Sequence, residues 1–222
     1  MKHKPLALLL FGAFATSAVS HAAILIDYND GIVNGIHDAE VANGGFSSGT
    51  GTVSFASGNV PSWSTWTAGD NGVYQSGAAR DAYLAPGGGI RNLTAYTAQL
   101  GDTFTFDWRL SNYGNSAGRT WQVGLVYDVA GTTTFVPGAF TTFTSTAATP
   151  SAQNFAPVSF TIDPGSVAIG NVIGIGVKAA GQYIEVDNIS LSVSSVPEPA
   201  TYGLLGAGAL AAAAFIRRRK RA

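Results

Sequence analysis

The sequence predicts an all-β fold, a jelly-roll-like antiparallel β-sandwich, with an N-terminal signal helix before it and a C-terminal transmembrane helix after it. Short runs of alternating apolar and polar residues, separated by turn residues, are typical of half-buried strands. About eight to ten such runs at short spacing indicate a sandwich, and no repeat period of a propeller or solenoid is visible. With 222 residues, the chain fits one domain between two targeting segments.

The first 22 residues have the order of a secretory signal peptide. A basic start is followed by an apolar run at residues 6–15 and by small side chains up to Ala22. We expect a signal peptidase to remove residues 1–22 by cutting between Ala22 and Ala23. The folded domain is then expected at residues 23–195.

The predicted strands follow in order, and the strongest lies at residues 103–110. Phe104, Phe106 and Trp108 share one face of it, whereas threonines and charged residues occupy the other, which is the pattern of a strand with one buried face. The domain opens on an apolar run at residues 23–28. Further alternating runs lie at residues 53–55, 121–129, 135–136, 140–143, 158–162, 173–177 and 182–193.

The last strand carries an internal change of phase. Ile184 and Val186 alternate in one phase, and Ile189 and Leu191 alternate in the other. A regular strand cannot bury both sets on one face, because successive side chains point to opposite faces. We therefore expect a β-bulge near Asp187–Asn188, which would redirect a carboxylate and an amide.

Charge and cysteine content exclude several classes of function. Between the two targeting ends the chain has five basic and twelve acidic residues, a net charge of −7. An acidic domain of this kind is a poor partner for nucleic acid. The chain has no cysteine, so it has neither a disulfide framework nor a thiolate metal site.

The tail, residues 196–222, combines a proline-bounded motif, an apolar segment and a basic end. Residues 200–216 carry no charge and would span about 26 Å as a helix, near the lower limit for a hydrocarbon core of roughly 30 Å. The cations that follow favour the cytoplasmic side and stop the segment there. They are Arg217, Arg218, Arg219, Lys220 and Arg221.

The order Pro197-Glu198-Pro199, short apolar helix, basic cluster resembles the PEP-CTERM sorting signal of Gram-negative bacteria. The resemblance implies processing by an exosortase, transient anchoring in the inner membrane, and a final place at the cell surface or in the extracellular matrix. Exosortase systems accompany exopolysaccharide loci, so it also implies a matrix or biofilm role with exopolysaccharide as a partner. An uncleaved tail anchor is the alternative.

Three segments of the middle are similar to galactose-binding-like jelly rolls, which are common among carbohydrate-binding modules. They are Asn43-Gly44-Gly45-Phe46, the strand at residues 100–107 and the strand at residues 184–191. The resemblance implies the jelly-roll fold, and it adds carbohydrate binding as a functional alternative. A fold by itself does not fix the function.

The same resemblance implies a structural Ca²⁺ ion, for which Asp27, Asp30 and Asp187 are the candidate ligands. Ser47 stands where the family often has a glutamate, so a calcium-free domain remains the alternative. Calcium needs six to eight oxygen ligands, preferably with carboxylates among them. We expect no other cofactor.

The residues favour a binding or structural protein over an enzyme. The mature chain has one histidine, His37. The spacing Gly-x-Ser-x-Gly occurs at residues 45–49 and 114–118, but neither stretch has the strand-to-helix pattern of a nucleophile elbow. Asp107, Asp128 and Glu185 lie opposite apolar neighbours in their strands, and we expect them to be solvated. We therefore expect no catalytic residues, although a secreted hydrolase remains a distant alternative.

Aromatic residues outside the obvious strand cores are the candidates for sugar binding, because C–H patches of sugars stack on rings. An alternative for the two tryptophans among them is ordinary packing, whereas Trp108 and Trp121 alternate with core residues and are expected to be buried. The candidates are Trp63, Trp66, Tyr74 and Tyr83.

Overall fold

The protein is described by a computed structural model of residues 22–28, 40–46, 53–55, 60–76, 79–110, 117–146 and 153–195, together with residue 208. The predicted signal helix, the sorting motif at Pro197-Glu198-Pro199, the basic cluster at residues 217–221 and Asp30 lie outside these residues. So does the predicted transmembrane helix at residues 200–216, apart from residue 208. Within the described part, no helix is long and apolar enough to cross a membrane.

Residues His21–Val196 form one compact unit, and the expected all-β class is confirmed there. Four of its strands have nine residues or more, and the others are shorter. In chain order the strands are β1 (Ala22–Ile26), β2 (Val53–Ser54), β3 (Ser64–Thr67), β4 (Gly72–Ser76), β5 (Ala79–Leu84), β6 (Gly89–Thr97), β7 (Thr103–Leu110), β8 (Thr120–Val129), β9 (Thr132–Thr144), β10 (Gln153–Asn154), β11 (Val158–Thr161), β12 (Val172–Ala179) and β13 (Ile184–Ser194).

The strands form two antiparallel sheets that pack into the predicted jelly-roll-like sandwich. The eight-stranded sheet has the order β10-β7-β13-β5-β4-β2, with β11 also beside β7 and β1 also beside β13. The five-stranded sheet has the order β3-β6-β12-β8-β9. Consecutive strands often lie in different sheets, so most of the contacts that close the core join segments distant in sequence.

The core lies between the sheets because alternate residues of each strand point inward. In β7 every second residue is buried, as the pattern predicts. Trp108 and Trp121 are buried as expected, and they share an aromatic cluster with Phe143 and Phe155. The ring centroid of Trp108 lies 4.2 Å from that of Phe143 and 5.0 Å from that of Phe155.

The predicted bulge in β13 is confirmed. The register of β13 against β7 shifts between Asp187 and Ser190, and Asn188 has a φ of 51°. This left-handed residue is the extra residue of the bulge and shifts the alternation by one position, so Val186 before it and Ile189 after it both face the core. A single strand thereby covers the core in two phases.

The residue pattern predicts no strand in the segment that forms β3, β4, β5 and β6, and β6 is the longest of these four. The sequence indicates a turn at residues 86–89 but no strand after it, whereas β6 continues for nine residues. Asn92 occupies an inward position of β6, where it is buried and donates a hydrogen bond from Nδ2 to the carbonyl of Ala42 at 2.8 Å. A polar residue in the buried phase removes the alternation on which the prediction relies.

The segment before β2 reaches the β13 bulge through a close backbone approach at Gly44. Its N–H donates to the carbonyl of Asp27 at 3.0 Å, and its own carbonyl accepts from the N–H of Ile189 at 3.0 Å. A Cβ atom at this position would overlap the carbonyl oxygens of Asp27 and Ile189. Glycine is therefore required where β1, this segment and β13 meet.

Replacing Gly44 by alanine is expected to destabilise the domain, since backbone oxygens cannot move aside as a flexible side chain does. Overpacking of this kind costs about 3 kcal/mol, which corresponds to a melting temperature lower by roughly 10 °C. Gly181→Ala is the control, because no atom lies within 4 Å of a Cβ built there. Equal melting temperatures for the two variants in thermal unfolding would contradict the close approach.

Candidate functional site

Aromatic and charged side chains gather on the face of the five-stranded sheet that points away from the core. In β12, residues Ile173, Ile175 and Val177 are buried in the core, so Gly174 and Gly176 between them point outward. Beside these glycines lie five side chains that we call the outer-face cluster. They are Trp66, Arg91, Asp128, Phe135 and Phe140.

Glycines form the floor beneath the cluster. Gly176 pairs with Gly124 of β8, and Gly174 pairs with Val126, so three outward positions in two adjacent strands carry no side chain. The indole of Trp66 occupies the space, since a Cβ on Gly176 would lie 2.9 Å from its Cζ3 atom. The missing side chains allow residues from β3 and β6 to reach across β12.

Trp66 is held from the β9 side. Its Nε1–H donates to the carbonyl of Thr133 at 3.0 Å, and its ring meets the ring of Phe135 edge-on at 4.6 Å. Phe135 in turn stacks on Phe140 at 4.9 Å. Trp66 is half-buried, whereas Phe140 is 38% exposed, so Phe140 is the most open ring of the cluster.

A charged pair flanks the rings. Arg91 of β6 donates from Nη1 to Oδ2 of Asp128 in β8 at 3.4 Å. Asp128 also accepts from the hydroxyl of Thr133 and the N–H of Gly131, each at 2.8 Å. Chiefly these two bonds, and then Arg91, hold the pKa of Asp128 below its ordinary value. Asp128 is therefore an ionised, paired group and not the freely solvated one that was expected.

The cluster combines flat apolar rings with planar polar groups, which is the chemistry that holds a sugar ring. Sequence reasoning found Trp66 but missed Arg91, Phe135 and Phe140. One signal was available, since the alternation Ile-Gly-Ile-Gly-Val at residues 173–177 indicates a strand whose outward face is bare.

Trp63, also predicted for carbohydrate binding, lies elsewhere. It is 3% exposed, its ring centroid lies 4.9 Å from that of Phe46, and its Nε1–H donates to the carbonyl of Asn43 at 2.9 Å. The hypothesis that Trp63 offers an open ring is wrong, because the ring is enclosed in the core.

The two tyrosines predicted for sugar binding belong to the eight-stranded sheet. Tyr83 in β5 is half-buried on the outward face, opposite Glu185 of β13. Burial raises the pKa of the Tyr83 hydroxyl, with a smaller contribution from Asp70. Tyr74 lies in β4, and its side chain is outside the described part of the chain. The four predicted aromatics therefore do not form one surface.

Acidic residues collect near the β13 bulge on the outward face of the eight-stranded sheet. Asp187 is buried there and accepts from Nη2 of Arg109 at 3.0 Å. Burial nevertheless raises the pKa of Asp187 to about 7. The carboxylates of Asp81 and Glu40 also raise this pKa, whereas the backbone N–H of Asn188 and the guanidinium of Arg109 lower it. Desolvation outweighs the ion pair.

Glu185, two residues before Asp187, is buried as well, so the expectation that it is solvated is wrong. Its strand lies between β5 and β7, and Tyr83 of β5 is its register partner on one side. Asp107, also expected to be solvated, is half-buried and accepts from the Ser190 hydroxyl at 2.7 Å. The outward face of this sheet is therefore polar but compact.

The predicted calcium ligands do not assemble into a site within the described residues. Asp27 is fully buried and accepts from the N–H of Tyr28 at 2.8 Å. No group of three or more histidine, aspartate or glutamate side chains in that part of the chain could hold a metal ion. Because Asp30 and Ser47 are not described, calcium binding stays a prediction without support from this donor set.

The segment that follows β13 has a recognisable identity. Residues 195–220 match the PEP-CTERM protein-sorting motif. The match begins one residue after β13 ends, so the signal adjoins the folded unit directly. The motif implies processing by an exosortase, export from the cytoplasm and transient anchoring in a membrane, as the resemblance predicted. A search of curated proteins finds no match to the chain.

The sandwich is similar to solved structures at low identity. A cyclase from Fischerella sp. TAU is 15% identical with a TM-score of 0.54, covering 80% of this chain and 100% of that chain, which shows the fold alone. The CBM22-2 xylan-binding domain from Paenibacillus barcinonensis Xyn10C is 10% identical with a TM-score of 0.43, covering 65% and 98%. A CBM28 module specific for non-crystalline cellulose is 11% identical with a TM-score of 0.36, covering 58% and 85%.

The buried carboxyl of Asp187 makes stability depend on pH. Its pKa is 3.8 in the unfolded chain and about 7 in the fold, so between these values the folded state holds a proton that the unfolded state releases. The stability that this bound proton gives the folded state is complete below the unfolded-state pKa, and it is lost as the pH rises through about 7. The loss is a few kcal/mol, about 4 at most.

Asp187→Asn is expected to remove this loss, which thermal unfolding from about pH 4 to about pH 8 with a chelator present would measure. Asp128→Asn is the matched control, because the pKa of Asp128 is lowered and its titration falls below this range. A wild-type melting temperature that does not fall across the range would show that Asp187 is ionised in the fold.

Proposed function

We propose that this chain is a non-enzymatic protein of the cell surface or extracellular matrix, associated with exopolysaccharide or biofilm and sorted by an exosortase. Residues 1–22 serve as the signal peptide, residues 23–195 form the galactose-binding-like domain, and residues 196–222 form the sorting signal. A signal peptidase cuts between Ala22 and Ala23. The segment 200–216 then holds the chain in the inner membrane until the exosortase acts.

The match to the sorting motif directly after the last strand carries this proposal. Because the signal directly adjoins a compact domain, that domain is the described part of the chain that would be exported and displayed. The outward faces support a structural role, because polar and hydroxyl side chains cover much of them. Thr103 and Thr105 of β7, for example, exchange hydrogen bonds with Thr161 and Ser159 of β11 at 3.0 and 2.8 Å.

Replacing Pro197, Glu198 and Pro199 together by alanine is expected to block processing in a host that has the exosortase. Proline restricts its own backbone and that of the residue before it to conformations that favour an extended chain, and an extended chain is what a protease or transpeptidase grips. Intact mass and membrane fractionation would show the unprocessed chain retained in the membrane. The control is Pro157→Ala, an exposed proline of the domain. Normal processing of the triple variant would refute the sorting role of the motif.

Carbohydrate binding is the second candidate function, and the outer-face cluster favours it. Phe140 presents an open ring beside Phe135, and Gln122 and Thr142 lie one register step away on the same face. A sugar ring can stack on such a surface while its hydroxyls meet the polar neighbours. A secreted hydrolase is the distant third candidate, and assays on model substrates address it.

Phe140→Ala is expected to weaken glycan binding about fivefold, since a stacked ring contributes on the order of 1 kcal/mol. A glycan array followed by calorimetry on the best ligand measures this. Tyr183→Ala is the matched control, because Tyr183 is an exposed aromatic residue outside the cluster. If the wild type binds no glycan, or if both variants bind like the wild type, the cluster is not a sugar site.

A further inference from the structure

We propose that the end of the sandwich from which the chain leaves for its sorting signal rests on the bilayer and inserts apolar side chains into the lipid interface. The inference depends on the membrane anchoring described above and adds a contact that the sorting motif does not imply. The proposed contact is between one end of the folded unit and a lipid surface.

One row of paired residues defines this end. Thr161 of β11 pairs with Thr103 of β7, and Thr103 pairs with Ser194 of β13. Val193, next to Ser194, pairs with Ala23 of β1, the first residue after the proposed signal-peptide cleavage. The chain therefore enters the unit and leaves it side by side. The loop before β7 and the loop after β11 lie at the same end, which we call the exit end.

Exposed apolar side chains concentrate at the exit end. Eight large hydrophobic side chains are exposed in the described part of the chain, and five of them lie here. Leu100 is 55% exposed and Val167 is 51% exposed. Apolar side chains that are clustered, unlike those scattered singly, mark an interaction surface. The five are Leu100, Val129, Val167, Ile169 and Val172.

Hydrogen bonds hold the exit-end loops against each other. Ala98 donates from its N–H to the carbonyl of Asn171 at 3.0 Å and accepts from the N–H of Gly170 at 2.9 Å. Gly101 donates to the carbonyl of Ile162 at 2.9 Å. The loop that carries Leu100 and the loop that carries Val167 and Ile169 are thus one connected surface.

The second of these loops is itself fixed by turns. Asn171 donates from Nδ2 to the carbonyl of Val167 at 2.9 Å, and Ser166 caps the turn by accepting from the N–H of Ala168 at 3.3 Å. Ala168 is fully buried and anchors the loop to the core. Val167 and Ile169 on either side of it point outward, so their exposure is built into the fold.

The length of residues 196–199, which we call the tether, limits which partner the exit end can contact. Ser195 is the last described residue at the exit end, and its hydroxyl lies 3.4 Å from the hydroxyl of Tyr96. Only residues 196–199 separate it from the uncharged segment that begins at Ala200. The five Cα-to-Cα steps from Ser195 to Ala200 span about 18 Å at most when extended. A domain anchored through that segment must keep its exit end within this distance of the bilayer.

The charge of the exit end fits an apolar contact with lipid. Residues 97–102, 129–132 and 162–172 contain no lysine or arginine, so attraction to anionic headgroups contributes nothing. Asp163 is exposed in the same region, and it would disfavour a strongly anionic surface. Because the tether confines the apolar surface next to the membrane, a weak interfacial affinity is enough for contact.

Depth-dependent quenching tests the contact with the full chain inserted in vesicles. The chain has no cysteine, so Val167→Cys or Leu100→Cys accepts a single environment-sensitive fluorophore. Tyr183→Cys is the matched control, because Tyr183 is 50% exposed and follows β12 at the opposite end of the sandwich. Vesicles of phosphatidylethanolamine and phosphatidylglycerol carry a nitroxide at headgroup depth, and vesicles of phosphatidylcholine form the uncharged arm. Circular dichroism confirms that each labelled chain is folded.

Roughly threefold stronger quenching at positions 167 and 100 than at 183, in both lipids, is the expected result for side chains seated in the interface. Equal quenching at all three positions in a chain that floats with the vesicles overturns the docking alone. A blue-shifted label at position 167 without lipid quenching also overturns it, since a second copy would then cover the surface. A chain that does not float overturns the anchoring, and the docking with it.

Discussion

The eight-stranded sheet depends on one feature of β13, which buries apolar side chains both before and after its bulge although the two sets alternate in different phases. Before the bulge this strand pairs with β5, and after it the strand pairs with β1, while β7 lies along its other side. Without the extra residue at Asn188, either Val186 or Ile189 would face solvent. The same bulge brings Asp187 to a buried position, so the unfavourable carboxyl is a consequence of how the sheet is closed.

The five-stranded sheet depends on a different constraint, the absence of side chains on part of its outward face. Gly124, Gly174 and Gly176 leave room for an indole and a guanidinium to cross β12, which joins both edges of the sheet through side chains. The outer-face cluster is therefore partly a structural element that fastens β3 to β9. What remains open to a ligand is mainly the ring of Phe140, which limits the surface to a few stacking contacts.

Much of the fold follows from the sequence because strand periodicity is local information. β7 and the bulge in β13 could be predicted, since burial on one face fixes the order of apolar residues. β6 could not, because the buried Asn92 donates its side-chain hydrogen bond to a distant segment, at the carbonyl of Ala42. The outer-face cluster could not either, since Trp66 and Phe135 meet only through the order of strands in the sheet, which no local pattern encodes.

Entry and exit of the chain at one end have a physical consequence for a tethered domain. An isolated sandwich gains nothing from exposing Leu100 and Val167 to water, because each exposed apolar group forgoes its transfer free energy. Side chains of this type persist at a surface without penalty when something apolar covers them during the protein's working life. The tether, four residues long, supplies that partner at high local concentration only at the exit end. The position of the apolar residues and the position of the sorting signal are therefore explained by a single geometry.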